Sequence, residues 1–148
     1  MKLFNQTETY KLHQLVFCLD NVAMKALEKN TNISYVQFLI LITIQENPEF
    51  KLEQIGDWVN LTKSAVSQQI EKLVQASLLN RTENPQDRRE KKLKLTVSGH
   101  AELEKAKEIC NQLSENLFES LSPADRKSLN NLLNNLISNI PSKLIKTN

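Results

Sequence analysis

Two arginines, Arg88 and Arg89, follow Asn84-Pro85-Gln86-Asp87, a run with the residues of a type I turn. Guanidinium groups at the end of a narrow ribbon can enter a minor groove, where negative potential is enhanced. Lys91 extends the cluster. Asp87 has the opposite charge and is expected to pair with an arginine and orient it. Upstream, Thr62, Lys63, Ser64, Ser67, Gln68 and Lys72 form a second group. Hydroxyls and amides suit base edges, and glutamine can pair bidentately with adenine. The two lysines can neutralise phosphates without reading sequence. This is the chemistry of duplex DNA recognition, and it breaks no covalent bond.

The surrounding sequence supplies elements that could hold these groups. Residues 52–59 (LEQIGDWV) read as a short helix with Leu52, Ile55 and Val59 on one side. Asn60 tolerates the left-handed backbone of a tight corner. Thr62 is a good N-cap for a second helix, Lys63 to about Ala76, whose buried face is Val66, Ile70, Leu73 and Val74. Gly56 weakens the first helix by about 1 kcal/mol relative to alanine, so its expected role is a close approach between the helices. Residues 78–83 read as a strand. A return strand from Lys91 to Leu95 points Leu93 and Leu95 one way and Lys92 and Lys94 the other. Helix, turn, helix and basic hairpin make a winged helix-turn-helix, with the helix pair at about 52–76 and the wing at about 78–95.

Three longer helices and one core helix complete the chain. Residues 9–29 are amphipathic. Ser34 begins a helix that is apolar nearly all round and should stop near Asn47-Pro48. Its capping box with Gln37 and a staple from Ile33 to Phe38 mark its start. Thr96 caps a helix running to about Ser120, with its stripe at Ala106, Ile109, Cys110, Leu113, Leu117 and Leu121. Ser122-Pro123-Ala124-Asp125 opens the last, with Leu129, Leu132, Leu133, Leu136, Ile137 and Ile140 on one face and Pro141 at its end. The fold class is therefore mainly α with a small β-hairpin wing. The terminal stripes have no other part of the chain large enough to cover them, and a wide exposed apolar patch marks an interface. A homodimer would place two recognition helices about 34–36 Å apart, one DNA turn.

Composition removes the competing classes. The 148 residues suit one domain. Only Gly56 and Gly99 are glycines, which excludes a Walker loop and a GxGxxG turn. Cys18, Cys110, His13 and His100 form no ligand spacing, so no metal is expected. No cofactor motif and no nucleophile–base pair is found, and the chain is read as no enzyme. No apolar run approaches the ~18 residues of a membrane span. The polar start is no signal peptide, which implies a reduced, cytoplasmic protein. Net charge is +2, yet residues 81–94 alone carry six bases against three acids. Such a patch on a near-neutral body suits a phosphate-contacting element.

The segment Asn84-Pro85-Gln86-Asp87-Arg88-Arg89, followed by Leu95-Thr96-Val97-Ser98-Gly99, resembles the DxxDRR…LTxxG wing signature of the MarR (multiple antibiotic resistance regulator) transcription factors. Leu61-Thr62-Lys63-Ser64-Ala65-Val66-Ser67 resembles that family's recognition-helix opening. The resemblance implies a homodimer formed by a helical region at 1–30 and 97–148, with DNA bound by region 31–96, in one compact unit. It also implies a repressor of a roughly palindromic operator, released by a small molecule or by oxidation. For a lipophilic or phenolic effector, Tyr10, Phe17, Tyr35, Phe38 and Trp58 are candidate lining, although ordinary core positions are the simpler expectation for each. Some members sense peroxide through a first-helix cysteine. Here Val16 fills that position and Cys18 lies two residues on, so thiol sensing by Cys18 is an alternative and packing its simpler role. An alternative of another class is a helical interaction adaptor that binds no DNA, but it would not explain the arginine tip.

Overall fold

In a computed structural model of the chain, residues 4–84 and 87–140 are described, with side chains for 5–82 and 92–140. A 3-10 turn at Phe4–Gln6 leads into α1 (Glu8–Asn30), α2 (Tyr35–Glu46), α3 (Leu52–Val59) and α4 (Lys63–Gln75). The hairpin of β1 (Leu79–Asn84) and β2 (Asp87–Leu95) follows, then α5 (Val97–Phe118) and α6 (Pro123–Ser138).

Helix α2 is the hub because its sequence leaves it no polar face. Phe38, Ile40, Leu41, Thr43 and Ile44 are all buried along it. Thr43 satisfies its hydroxyl by donating to the Leu39 carbonyl at 2.7 Å, so burial leaves nothing unpaired. The capping box forms as expected, with Ser34 N–H donating to Gln37 Oε1 at 2.9 Å and Gln37 N–H to Ser34 Oγ at 3.3 Å. Ile33 and Phe38 are both buried in the core, as a staple requires. Around α2 gather Leu27 from α1, Ile55 from α3, Val66, Ile70 and Leu73 from α4, Leu79 from β1, and Leu103 and Ala106 from α5.

The long helices bury only one end each. On α1, Ala23 and Leu27 are buried, whereas Leu12, Leu15, Val16 and Phe17 nearer its start are exposed. On α5 burial fades along the stripe, from Leu103 and Ala106, fully covered, through half-buried Ile109 and Cys110 to exposed Leu117. No residue of α6 is buried.

Strand β2 begins at Asp87, four residues before the expected Lys91. The alternation that marks a strand is confined to Leu93 and Leu95, which pack on the core, while the outer wing has no apolar face to betray it. The pairing runs Leu79↔Leu95, Arg81↔Leu93 and Thr82↔Lys92, and the register shifts between Glu83 and Asn84.

Candidate nucleic-acid interface

The α3–α4 corner is built by three residues. Asn60 takes the left-handed conformation, φ 55° and ψ 47°. Leu61 N–H donates to the Gly56 carbonyl at 2.9 Å, folding the chain back over α3. Thr62 then caps α4, its Oγ1 accepting from Ala65 N–H at 3.2 Å. A Cβ on Gly56 would lie 2.6 Å from the Leu61 carbonyl oxygen and 3.5 Å from a Val66 methyl. Close approach is therefore the reason for this glycine, and the nearest obstacle is the turn's own backbone. Gly56→Ala is expected to destabilise the lobe by about 1–2 kcal/mol, since overpacking outweighs the helix-propensity gain. A denaturant titration with an unchanged midpoint would refute this.

With Val66, Ile70 and Leu73 buried, α4 turns Lys63, Ser64, Gln68, Glu71, Lys72 and Gln75 to solvent. Of the expected contacts, Thr62, Lys63, Ser64, Gln68 and Lys72 are exposed. Ser67 is half-buried at the flank, because it sits between the inward positions Val66 and Ile70. The side chains of Asp87, Arg88, Arg89 and Lys91 lie outside the described residues, as do Pro85 and Gln86.

Three carboxylates with no local signal in the sequence hold basic side chains of α4 and the wing. Glu53 on α3 pairs with Lys63, the first residue of α4. The Lys63 hydrogen bond and charge hold the Glu53 carboxyl below its usual range. Glu71 on α4 reaches Arg81 on β1 at 2.9 Å. Glu49, before α3, reaches Lys92 on β2 at 3.0 Å. The last two pairs strap the wing to α4 and to the turn between α2 and α3. Such partners join residues distant in sequence, and no local spacing announces them.

Behind this lobe, between α1, α2 and α5, lies an open cavity of about 490 Å³. Leu15, Leu19, Val22, Phe38, Leu113 and Leu117 make most of its lining apolar, and Tyr35, Cys18 and Cys110 also border it. Tyr35 donates its hydroxyl to Asp20 at 2.7 Å. Burial and the neighbouring Asp20 raise its phenol above the ordinary value. Tyr35 and Phe38 thus line the cavity, while Phe17 and Trp58 do neither of the things expected of them: both are 62% exposed. Cys18 is exposed instead of packed into the core, because it falls on the uncovered part of α1. Cys110 is half-buried, and burial pushes its thiol up.

Comparison with known proteins sets these features in context. The MarR family profile matches residues 33–91. No curated protein matches the chain. Wild-type MarR from E. coli in its apo form superposes with a TM-score of 0.77 at 22% identity, covering 91% of this chain and 98% of that one. Bordetella bronchiseptica BpsR, solved in a study of how 6-hydroxynicotinic acid regulates its DNA binding, gives 0.76 at 21% identity over 95% and 99%. A mutant of S. aureus MepR bound to an oligodeoxyribonucleotide gives 0.60 at 22% identity over 91% and 99%. The winged helix fold is shared with all three.

Proposed function

We propose, on the premise that residues 33–91 make this chain a member of the MarR family, that it is a homodimeric repressor of a roughly palindromic operator, released by a small lipophilic ligand. One observation carries the DNA-binding part: α4 presents Ser64 and Gln68 outward beside a wing braced to it by the Glu71–Arg81 pair. In this reading α4 enters the major groove, Ser64 and Gln68 meet base edges, and Thr62, Lys63, Ser67 and Lys72 meet the backbone. Arg88, Arg89 and Lys91 would serve the neighbouring minor groove, with Asp87 orienting an arginine. The oligonucleotide-bound MepR mutant shares this fold and supports the assignment.

The cavity supports the ligand. Its volume falls within the range of about 300–1,000 Å³ typical of small-molecule sites, and its lining is mostly apolar. A molecule wedged between α1, α2 and α5 would shift the lobe relative to the long helices and change the population that fits the operator. Thiol-based release through Cys18 has less support. Cys18 is exposed, as a reactive thiol must be, but among the described residues no cationic side chain lines the cavity it borders to favour a thiolate there.

Selection of bound duplexes from a random pool, repeated with a phenolic ligand and with peroxide, tests these assignments together. Enrichment of a palindrome that the phenolic ligand abolishes is the expected result. Failure to enrich any sequence would remove the regulator reading, and loss with peroxide alone would favour the thiol. In the same assay Gln68→Ala should relax base preference at one position per half-site, with about 1–3 kcal/mol of discrimination lost. The same motif for parent and variant would remove Gln68 from base recognition.

A further inference from the structure

The pair between Glu53 and Lys63 joins the helix before the turn to the first residue of the helix after it. Both side chains are well solvated, 57% and 60% exposed respectively. Exposed ion pairs add little to folding stability. Holding the fold together is thus a weak reason for a carboxylate here. Its position matters more, because it occupies a cation on the face that would meet a phosphate backbone.

We propose that Glu53 is an affinity-limiting residue: it engages Lys63 in the free protein, so Lys63 can reach a DNA phosphate only by giving up an internal partner. The proposal rests on the DNA-binding reading and adds to it a residue that never touches DNA. Each phosphate neutralised by a cation releases condensed counterions, which makes binding salt-dependent. To the extent that Lys63 stays with Glu53, it neutralises no phosphate and releases no counterion, so affinity and its salt dependence are both lower than the surface lysines would give alone. Lys72 provides a contrast, because among the described residues no carboxylate is paired with it.

The test uses the full chain, a random-sequence duplex and a fluorescence-anisotropy titration across a salt series. Glu53→Gln should bind more tightly, and the slope of log K against log salt should steepen by up to about 0.9 per protomer. Lys63→Gln should bind more weakly with a shallower slope. The double variant should match Lys63→Gln alone, because Glu53 has nothing left to restrain. Glu53→Ser should reproduce the gain, which separates it from any effect peculiar to glutamine. Thermal melts show that each variant is folded. Weaker or unchanged binding by Glu53→Gln would overturn the proposal and make Glu53 at most a residue that positions Lys63. A gain that persists without Lys63 would also overturn it, by reducing the effect to general charge. If the parent binds no duplex at all, the DNA-binding reading falls and takes this inference with it. If the parent binds and the variant gains nothing, only the inference falls.

Discussion

Gly99→Ala is expected to lower the melting temperature by about 10 °C, through a loss near 3 kcal/mol. The reason is local and severe. A Cβ at this position would lie 2.0 Å from the Leu78 carbonyl oxygen and 3.0 Å from its carbon. Both are backbone atoms, so no side chain can swing aside. The same carbonyl accepts the Thr96 N–H at 3.1 Å, while Thr96 Oγ1 donates to the Ser77 carbonyl at 2.7 Å and accepts from Gly99 N–H at 2.9 Å. The first turn of α5 is thereby clamped onto the entry to β1. Leu78 and Leu79 are buried there, and Ser77 already takes a positive φ of 58°. An added methyl must either lift α5 off the strand or push Leu78 into a filled core. Alanine's better helix propensity returns only about 1 kcal/mol. Ser98→Ala, at an exposed neighbour, should change stability by no more than about 0.5 kcal/mol. Circular-dichroism melts of both variants decide the matter, and parental melting of Gly99→Ala would show that the joint yields freely.

The two glycines show what could be read from the chain before its fold. Gly56 was interpretable because it interrupts a helix whose apolar spacing is otherwise regular, and the close approach it implies is present. Gly99 stood in the wing signature, but its reason is a carbonyl from another element, and no periodicity reports that. The same division runs through the interface. Ser64 and Gln68 were placed outward by the buried rhythm of Val66, Ile70 and Leu73, a signal carried within one helix. Glu53 acts across a turn, Glu71 between helix and strand, and Glu49 between a turn and a strand, so their roles emerge only with the tertiary contacts. The start of β2 is not legible for a related reason: strand periodicity requires a face to bury, and the sequence of the outer wing offers none. The place of Cys18 and Phe17 on an amphipathic helix predicts packing, whereas the chain alone leaves that half of α1 bare.

That bare surface leads to the second large effect. Leu132→Asp combined with Leu136→Asp should raise the dimer dissociation constant at least about a hundredfold and remove operator binding with it. Helix α6 has 16 residues and none is buried, with Leu132, Leu136 and Ile137 at 61%, 56% and 64% exposure. A helix of that length is marginal in water without a surface to pack on. Its visible anchorage is polar and lies at its beginning, where Arg126 donates to the Phe118 carbonyl at 2.9 Å and pairs with Glu115 at 2.7 Å. In the proposed homodimer a second copy of the chain would cover the rest, together with the bare Leu12, Leu15, Val16 and Phe17 of α1. Under two-fold symmetry each new carboxylate enters the interface twice, so the cost of burying unpaired charge is doubled. A protomer freed in this way has one recognition helix and can hold only one half-site. Sedimentation equilibrium should show a monomer, circular dichroism a weaker helical signal, and anisotropy on the selected palindrome binding no tighter than to random duplex. A double variant that sediments as the parent does and keeps its operator affinity would place the interface elsewhere and leave the α6 stripe without its proposed partner.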